Sequence, residues 1–199
     1  VKSLIIHTGP MGAAKTTAAL HLARRLQRLK KTIKLIRPLR SLRSHEKPGL
    51  LVTKNGETFP STDLDDPTKI ETDTDYLWID EPFLFDNEHK LFDIIQNIRK
   101  TTDIIVSGIP ATSELKPFGH SMPLLMSVAD EITFHKADCD HCHTTNSASR
   151  TVYCGPDKSS DIQVGGVESY GALCPLCWSI LQEYPCNERK ALLNDAPKP

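Results

Sequence analysis

The chain has 199 residues, enough for one domain of ordinary size with a small appendage. Its 39% hydrophobic and 25% charged content is that of a globular protein, and its formal net charge of −1 provides no global field for nucleic acid or membrane. No apolar run approaches the ~20 residues that cross a bilayer, and the apolar stretch in the N-terminal VKSLIIHTGP is too short for a signal peptide, so a cytoplasmic location is expected.

In chain order, Ser3 to Thr8 (SLIIHT) reads as a buried strand. Gly9-Pro10-Met11-Gly12-Ala13-Ala14-Lys15-Thr16 follows, and Thr17 opens a helix marked by Leu20, Leu22, Ala23, Leu26 and Leu29. Strand, glycine-bearing turn and helix is the setting of a Walker A loop. Backbone N–H groups and the helix N-terminus there offer donors to phosphate, Lys15 supplies a positive charge, and the Thr16 hydroxyl reaches Mg²⁺. Ala14 stands where the pattern has Gly, and helical φ/ψ would tolerate its methyl group. The bland alternative is an ordinary strand-to-helix turn that contains Lys-Thr.

Thr32 to Ile36 is a second strand, and the basic stretch Arg37 to Gly49 reads as a loop. Leu50 to Thr53 and Glu57 to Phe59 flank Asn55-Gly56, a hairpin signal. Residues 60–74 are acidic and polar and read as a loop or short helix. Asp75 to Ile79 is a third strand that ends in Asp80-Glu81. An acid at such a strand end helps hold Mg²⁺, and a second carboxylate can take a proton from an attacking hydroxyl. The alternative is a charged terminus facing water. A helix over Asn87 to Lys100, a strand from Asp103, a helix over Met122 to Val128 and a strand over Glu131 to His135 complete the alternation. That order implies a mostly parallel sheet covered by helices.

From Cys139 the composition turns to Cys, His, Gly, Ser and Thr with little helical periodicity, which sets a boundary near 137. Cys139-x-x-Cys142 and Cys174-x-x-Cys177 are the spacing of a closed, structural tetrahedral zinc site. Two disulfides or unligated thiols are the alternatives, and His141 and His143 flank the first pair as competing ligands. Cys154 and Cys186 read as ordinary thiols. The expected fold is thus α/β and P-loop NTPase-like, with a domain over 1–136, a zinc-binding ribbon or lasso domain over 137–188 and a flexible tail over 189–199.

These motifs, in this order, resemble the cellular-type (type II) thymidine kinase family: GPM…KTT after the first strand, IDE…F at the third, KPFG at Lys116 to Gly119, GG…Y at Gly165, Gly166 and Tyr170, and the two C-x-x-C pairs. The resemblance runs from about residue 3 to 178. It implies Mg²⁺-dependent transfer of the ATP γ-phosphoryl group to the 5′-hydroxyl of thymidine or a related pyrimidine deoxynucleoside, a zinc-held lasso over the nucleoside, and a homo-oligomer, commonly a tetramer. By resemblance, Glu81 is the general base and Asp80 the Mg²⁺-associated acid. Lys15 and Arg150 act at the reacting phosphates, and Gly9 to Thr17 with Arg43 bind ATP. Leu84, Phe85, Ser113, Phe118, Ile162, Gln163, Val164, Gly165 and Tyr170 line the nucleoside.

The departures cluster at the site. Besides Ala14, Ser41 stands where the family has an acid, Pro82 to Phe85 where it has a small residue, Gln and two Phe, Pro110 where it has Asp, and Ser113 where it has an aromatic. An aromatic face in such a pocket is worth about 0.5–1.5 kcal/mol beyond its area. A catalytically altered relative that binds nucleotide or a partner without turnover is the second reading. A zinc-ribbon nucleic-acid-binding ATPase is disfavoured by the charge balance.

Overall fold

The computed structural model describes residues 1–42, 46–155 and 169–194. Strand β1 (Leu4–Thr8) leads through the glycine-bearing turn into α1 (Lys15–Arg28), and β2 (Ile33–Pro38) returns. A small antiparallel pair, β3 (Leu50–Val52) and β4 (Thr58–Pro60), precedes β5 (Thr62–Leu64). Then follow β6 (Tyr76–Asp80), α2 (Leu91–Ile98), β7 (Asp103–Gly108), α3 (Ser121–Ser127) and β8 (Glu131–Phe134). The sheet order is β5-β2-β6-β7-β1-β8, with parallel pairing of β1 to β7, β7 to β6, β6 to β2 and β2 to β5. Beyond it lie the antiparallel pair β9 (Arg150–Tyr153) and β10 (Tyr170–Leu173), then α4 (Pro175–Gln182) and α5 (Cys186–Asn194). No described helix is long and apolar enough to cross a membrane.

The centres of β1, β6 and β7 are apolar because a parallel sheet is buried on both faces. Leu4, Ile6, Leu77, Trp78, Ile79, Ile104, Ile105 and Val106 are all fully buried. Helix α1 meets the sheet through Ala19, Leu20, Ala23 and Leu26, whereas Leu29, expected on that face, lies beyond the helix and is exposed. The parallel register aligns Thr8 with Gly108 and Asp80 with Ser107, so the carboxyl ends of β1, β7 and β6 share one edge of the sheet. In open parallel sheets that edge is where ligands bind.

Several expectations change. The stretch 60–74, read as loop or short helix, contains the sheet-edge strand β5, whose Asp63 pairs with Arg37. Arg37, assigned to a basic loop, closes β2 and is 2% exposed. Its Nε donates to Asp63 Oδ1 at 3.0 Å, its Nη1 to Glu46 at 3.3 Å and its Nη2 to the Leu50 carbonyl at 3.2 Å. A buried guanidinium needs these partners, and they lie too far along the chain for a local pattern to announce. Helix α2 begins at Leu91, behind a 3-10 turn over Glu88–Lys90.

Cα packing divides the chain into two units. The first comprises Val1–Thr8, Lys15–Pro110 and Pro117–Thr133; the second comprises Gly9–Ala14, Ala111–Lys116 and Phe134–Pro199. The first has a core of aliphatic side chains around Trp78, whose ring meets Phe59 edge-on at 5.7 Å. The second has a smaller core that includes Cys139, Ala148, Val152, Cys154, Leu173, Cys177 and Leu181. Helices α4 and α5 correct the expectation of little helix after Cys139. Helix α5 continues to Asn194, into the stretch read as tail, because Leu192 and Leu193 pack on that core.

Candidate functional site

In the first unit the site is built at the end of β6 and the start of α1. Thr16, in the first turn of α1, donates its hydroxyl to Asp80 Oδ1 at 3.1 Å. Ser107, opposite Asp80 on β7, donates its hydroxyl to the same oxygen. Ser107 in turn accepts the Trp78 indole N–H at 2.7 Å. Burial raises the Asp80 pKa, opposed by the hydrogen bonds from Ser107 and Thr16 and by the charges of Lys15 and Arg37. A carboxylate so placed gains most from a cation. Asp80 and the Thr16 hydroxyl are oxygen donors of the hard type that Mg²⁺ selects, so these residues fit that ion.

Lys15 opens α1. Burial pulls its pKa down to about 8, against the attraction of the Glu81 and Asp80 carboxylates, while Lys54 lowers it further. An ammonium held in that state is relieved by an anionic ligand. Glu81 follows Asp80 with φ 52 and ψ 53, a left-handed conformation costly for a side-chain-bearing residue. Its N–H donates to the Ser107 carbonyl at 2.7 Å, and Pro82–Leu84 forms a 3-10 turn behind it. Strand β7 lies between β6 and β1 and supplies Ser107. No motif in the sequence marks Ser107; only the strand register brings it to Asp80.

Leu84 and Phe85, read as nucleoside-lining, are 4% and 3% exposed. Phe118 is half-buried, and its ring lies 4.1 Å from that of Phe83. Phe83 fits because Gly108 has no side chain: a Cβ there would stand 3.2 Å from the Phe83 ring. Phe83, one of the positions where the sequence departs from the family pattern, is thus the ring partner of Phe118.

In the second unit, the loop Gly9–Ala14 turns through an Ala13 N–H to Pro10 carbonyl bond of 3.3 Å. Gly9 at φ 141 sits against the carbonyl of His135, which any Cβ would overlap. The Met11 N–H donates to Thr151 Oγ1 on β9 at 3.1 Å. Ala14 has φ 55, which corrects the expectation that helical φ/ψ accommodates it. For an alanine that left-handed geometry costs about 1–2 kcal/mol, which a glycine would not incur. Ser113 is buried in the turn Thr112–Lys116, closed by a Thr112 N–H to Lys116 carbonyl bond of 2.8 Å. Arg150 begins β9 and is half-buried. Tyr170 begins β10 with its ring edge-on to Tyr153 at 5.2 Å, and burial pushes its phenol up to about 12.

The thiols of Cys139, Cys142, Cys174 and Cys177 converge, with all four sulfurs within 4.8 Å of one another and Cys142 Sγ 4.0 Å from Cys174 Sγ. Tetrahedral Zn–S bonds of about 2.3 Å put sulfurs ~3.8 Å apart, so the cluster could hold a zinc ion. All six cysteines are free thiols, which removes the disulfide alternative. Backbone N–H groups of Cys174 and Cys177 donate to Cys139 Sγ at 3.3 Å and Cys174 Sγ at 3.5 Å, as thiolate ligands require. The Thr144 hydroxyl and backbone draw Cys142 down to about 6, while burial raises Cys139 and Cys177. His141 and His143 do not join the cluster. Cys154 is buried in the core of this unit, which raises its thiol to about 11, as expected of an ordinary thiol. Arg43 and Ile162, Gln163, Val164 and Gly165 lie outside the described residues.

A family model described as thymidine kinase matches residues 2–178. A protein named thymidine kinase from Coprothermobacter proteolyticus is 30% identical over 181 residues, covering 87% of this chain and 88% of its own. Proteins of the same name from Mycoplasma genitalium and Porphyromonas gingivalis are 26% and 25% identical. The alignments cover 87% and 94% of this chain and 81% and 89% of theirs, respectively.

Proposed function

The chain belongs to the thymidine kinase family, and we propose that it transfers the γ-phosphoryl group of ATP to the 5′-hydroxyl of thymidine or a related pyrimidine deoxynucleoside. The observation that carries this reading is the group at the head of α1: Thr16 bonded to Asp80, and Lys15 within the field of Asp80 and Glu81. Phosphoryl transfer asks mainly for positioning and charge neutralisation, and this group supplies both. Lys15 balances charge on the β- and γ-phosphoryl oxygens, and the loop Gly9 to Thr17 presents N–H groups to them. Thr16 and Asp80 would hold Mg²⁺, which adds positive charge beside those oxygens when bound. Glu81 accepts the proton of the 5′-hydroxyl and orients its oxygen for in-line attack. Arg150 and Arg43 add positive charge at the phosphates.

On the nucleoside side, family resemblance assigns the contacts to Phe118, Leu84, Phe85, Ser113, Tyr170 and the stretch Ile162 to Gly165. The Cys139, Cys142, Cys174 and Cys177 thiolates hold a structural zinc ion in the domain 137–188, and the domain 1–136 holds ATP. A cytoplasmic homo-oligomer, a tetramer by family resemblance, is part of the same reading. The left-handed Ala14 favours a second one, a divergent relative that binds nucleotide with little turnover.

Transfer of labelled phosphate from ATP to a panel of nucleosides decides between them. Thymidine or another pyrimidine deoxynucleoside is the expected acceptor, and Glu81→Ala should lower kcat by about 10²–10⁴-fold. No transfer to any nucleoside would sink the kinase reading.

A further inference from the structure

Ala14 at φ 55 is in a conformation that an L side chain leaves for the right-handed helical region unless something holds it. If it relaxed, the peptide planes ahead of Lys15 would turn and the loop N–H groups would be redirected. Such residues persist only where their surroundings over-determine them. Downstream of Ala14 the restraint is α1, whose first turn is tied through Thr16 to Asp80. Upstream it comes from elsewhere in the unit that contains the loop.

Two contacts supply that upstream restraint. Gly9 is nested against the His135 carbonyl, so the loop cannot shift towards it. The Met11 N–H is held at 3.1 Å by the hydroxyl of Thr151. Thr151 is well placed to act as a fixed point. It is 5% exposed, its backbone lies in β9, and that strand pairs with β10 through Thr151 opposite Ala172. Being buried, its hydroxyl has little access to bulk water as a competing partner.

We infer that Thr151 is a positioning residue for the phosphate loop: its hydroxyl fixes the first half of the loop so that Ala14 keeps the left-handed turn. The inference rests on reading Gly9–Thr16 as the ATP site, and deepens it. A loop with Gly in place of Ala14 needs no such tether, because glycine adopts positive φ about as readily as negative. This chain has the alanine, and so its ATP affinity depends on a hydroxyl in the zinc-bearing unit.

The test is a double-mutant cycle on the full, zinc-loaded chain, with MgATP affinity read by titration calorimetry. Thr151→Val keeps the shape of the side chain and removes the hydroxyl, and should weaken MgATP binding about tenfold, the scale of one hydrogen bond. Thr151→Ser restores the acceptor and should bind within about twofold of the parent. In the Ala14→Gly background, Thr151→Val should cost no more than about twofold. An unchanged affinity for Thr151→Val overturns the inference. So does a Thr151→Ser as weak as Thr151→Val, or an equal loss in both backgrounds, which would mark a packing defect. If the parent chain binds no MgATP, the ATP reading itself falls, and the same cycle is read on thermal midpoints. There, Thr151→Val must lower the midpoint more with Ala14 than with the Ala14→Gly change, or the tether is refuted.

Discussion

The two units are held together by different means. The first buries a continuous apolar sheet under α1, with Trp78 at its centre and both its indole face and its N–H satisfied. Among its described residues the second has two short strands, two short helices and a core in which Cys139 and Cys177 are both core side chains and prospective metal ligands. A large apolar surface folds without help, whereas a small loop-rich module relies on a staple. The candidate chemistry follows the same division. The carboxylates and Lys15 stand in the unit built on the sheet, while the loop segment Gly9–Ala14 groups with the unit that carries the four cysteines.

Metal removal is the strongest test of that contrast. Chelation, or Cys139→Ser with Cys177→Ser, should unfold the second unit, since structural zinc contributes about 10–16 kcal/mol of apparent binding energy in small modules. Hydrogen exchange should then show β9 and β10 unprotected while β1, β6 and β7 remain protected. Persistence of β9 and β10 protection without metal would break the comparison. Trp78→Ala probes the other side. Removing a fully buried indole should cost the first unit about 3–5 kcal/mol in denaturant unfolding, with the zinc content of the folded chain unchanged. A smaller effect, Ser107→Ala, sharpens the link between core and site. It strips a buried donor from Asp80 and the acceptor from the Trp78 N–H, and should destabilise the first unit by about 1–3 kcal/mol. A loss below about 0.5 kcal/mol would mean that those groups find other partners.

Much of the site was legible. Lys15, Thr16, Asp80 and Glu81 stand out by lying between strands and helices where a phosphate site is expected, and the structure brings the four together in one unit. The four cysteines announce themselves by spacing, because a C-x-x-C turn already aims two sulfurs at one point. The partners of these residues were not legible. Ser107 reaches Asp80 through the parallel register of β6 and β7. Phe83 reaches Phe118 because Gly108, on strand β7, leaves room for its ring. Arg37 is buried because β5 brings Asp63 to it from the sheet edge. The tether from Met11 to Thr151 spans most of the chain.

By itself, then, the sequence determined what is local: most strands and helices before Cys139, the phosphate-loop motif, the acidic pair, the metal spacing and, through their combination, the family. Hydrophobic period, turn chemistry and ligand spacing are properties of a few consecutive residues, and they can be read there. Tertiary structure alone decided which buried polar groups satisfy one another and what conformation Ala14 must adopt. Those outcomes depend on residues distant in sequence meeting at one point, where each unpaired donor or strained φ has to be compensated by whatever the fold brings beside it.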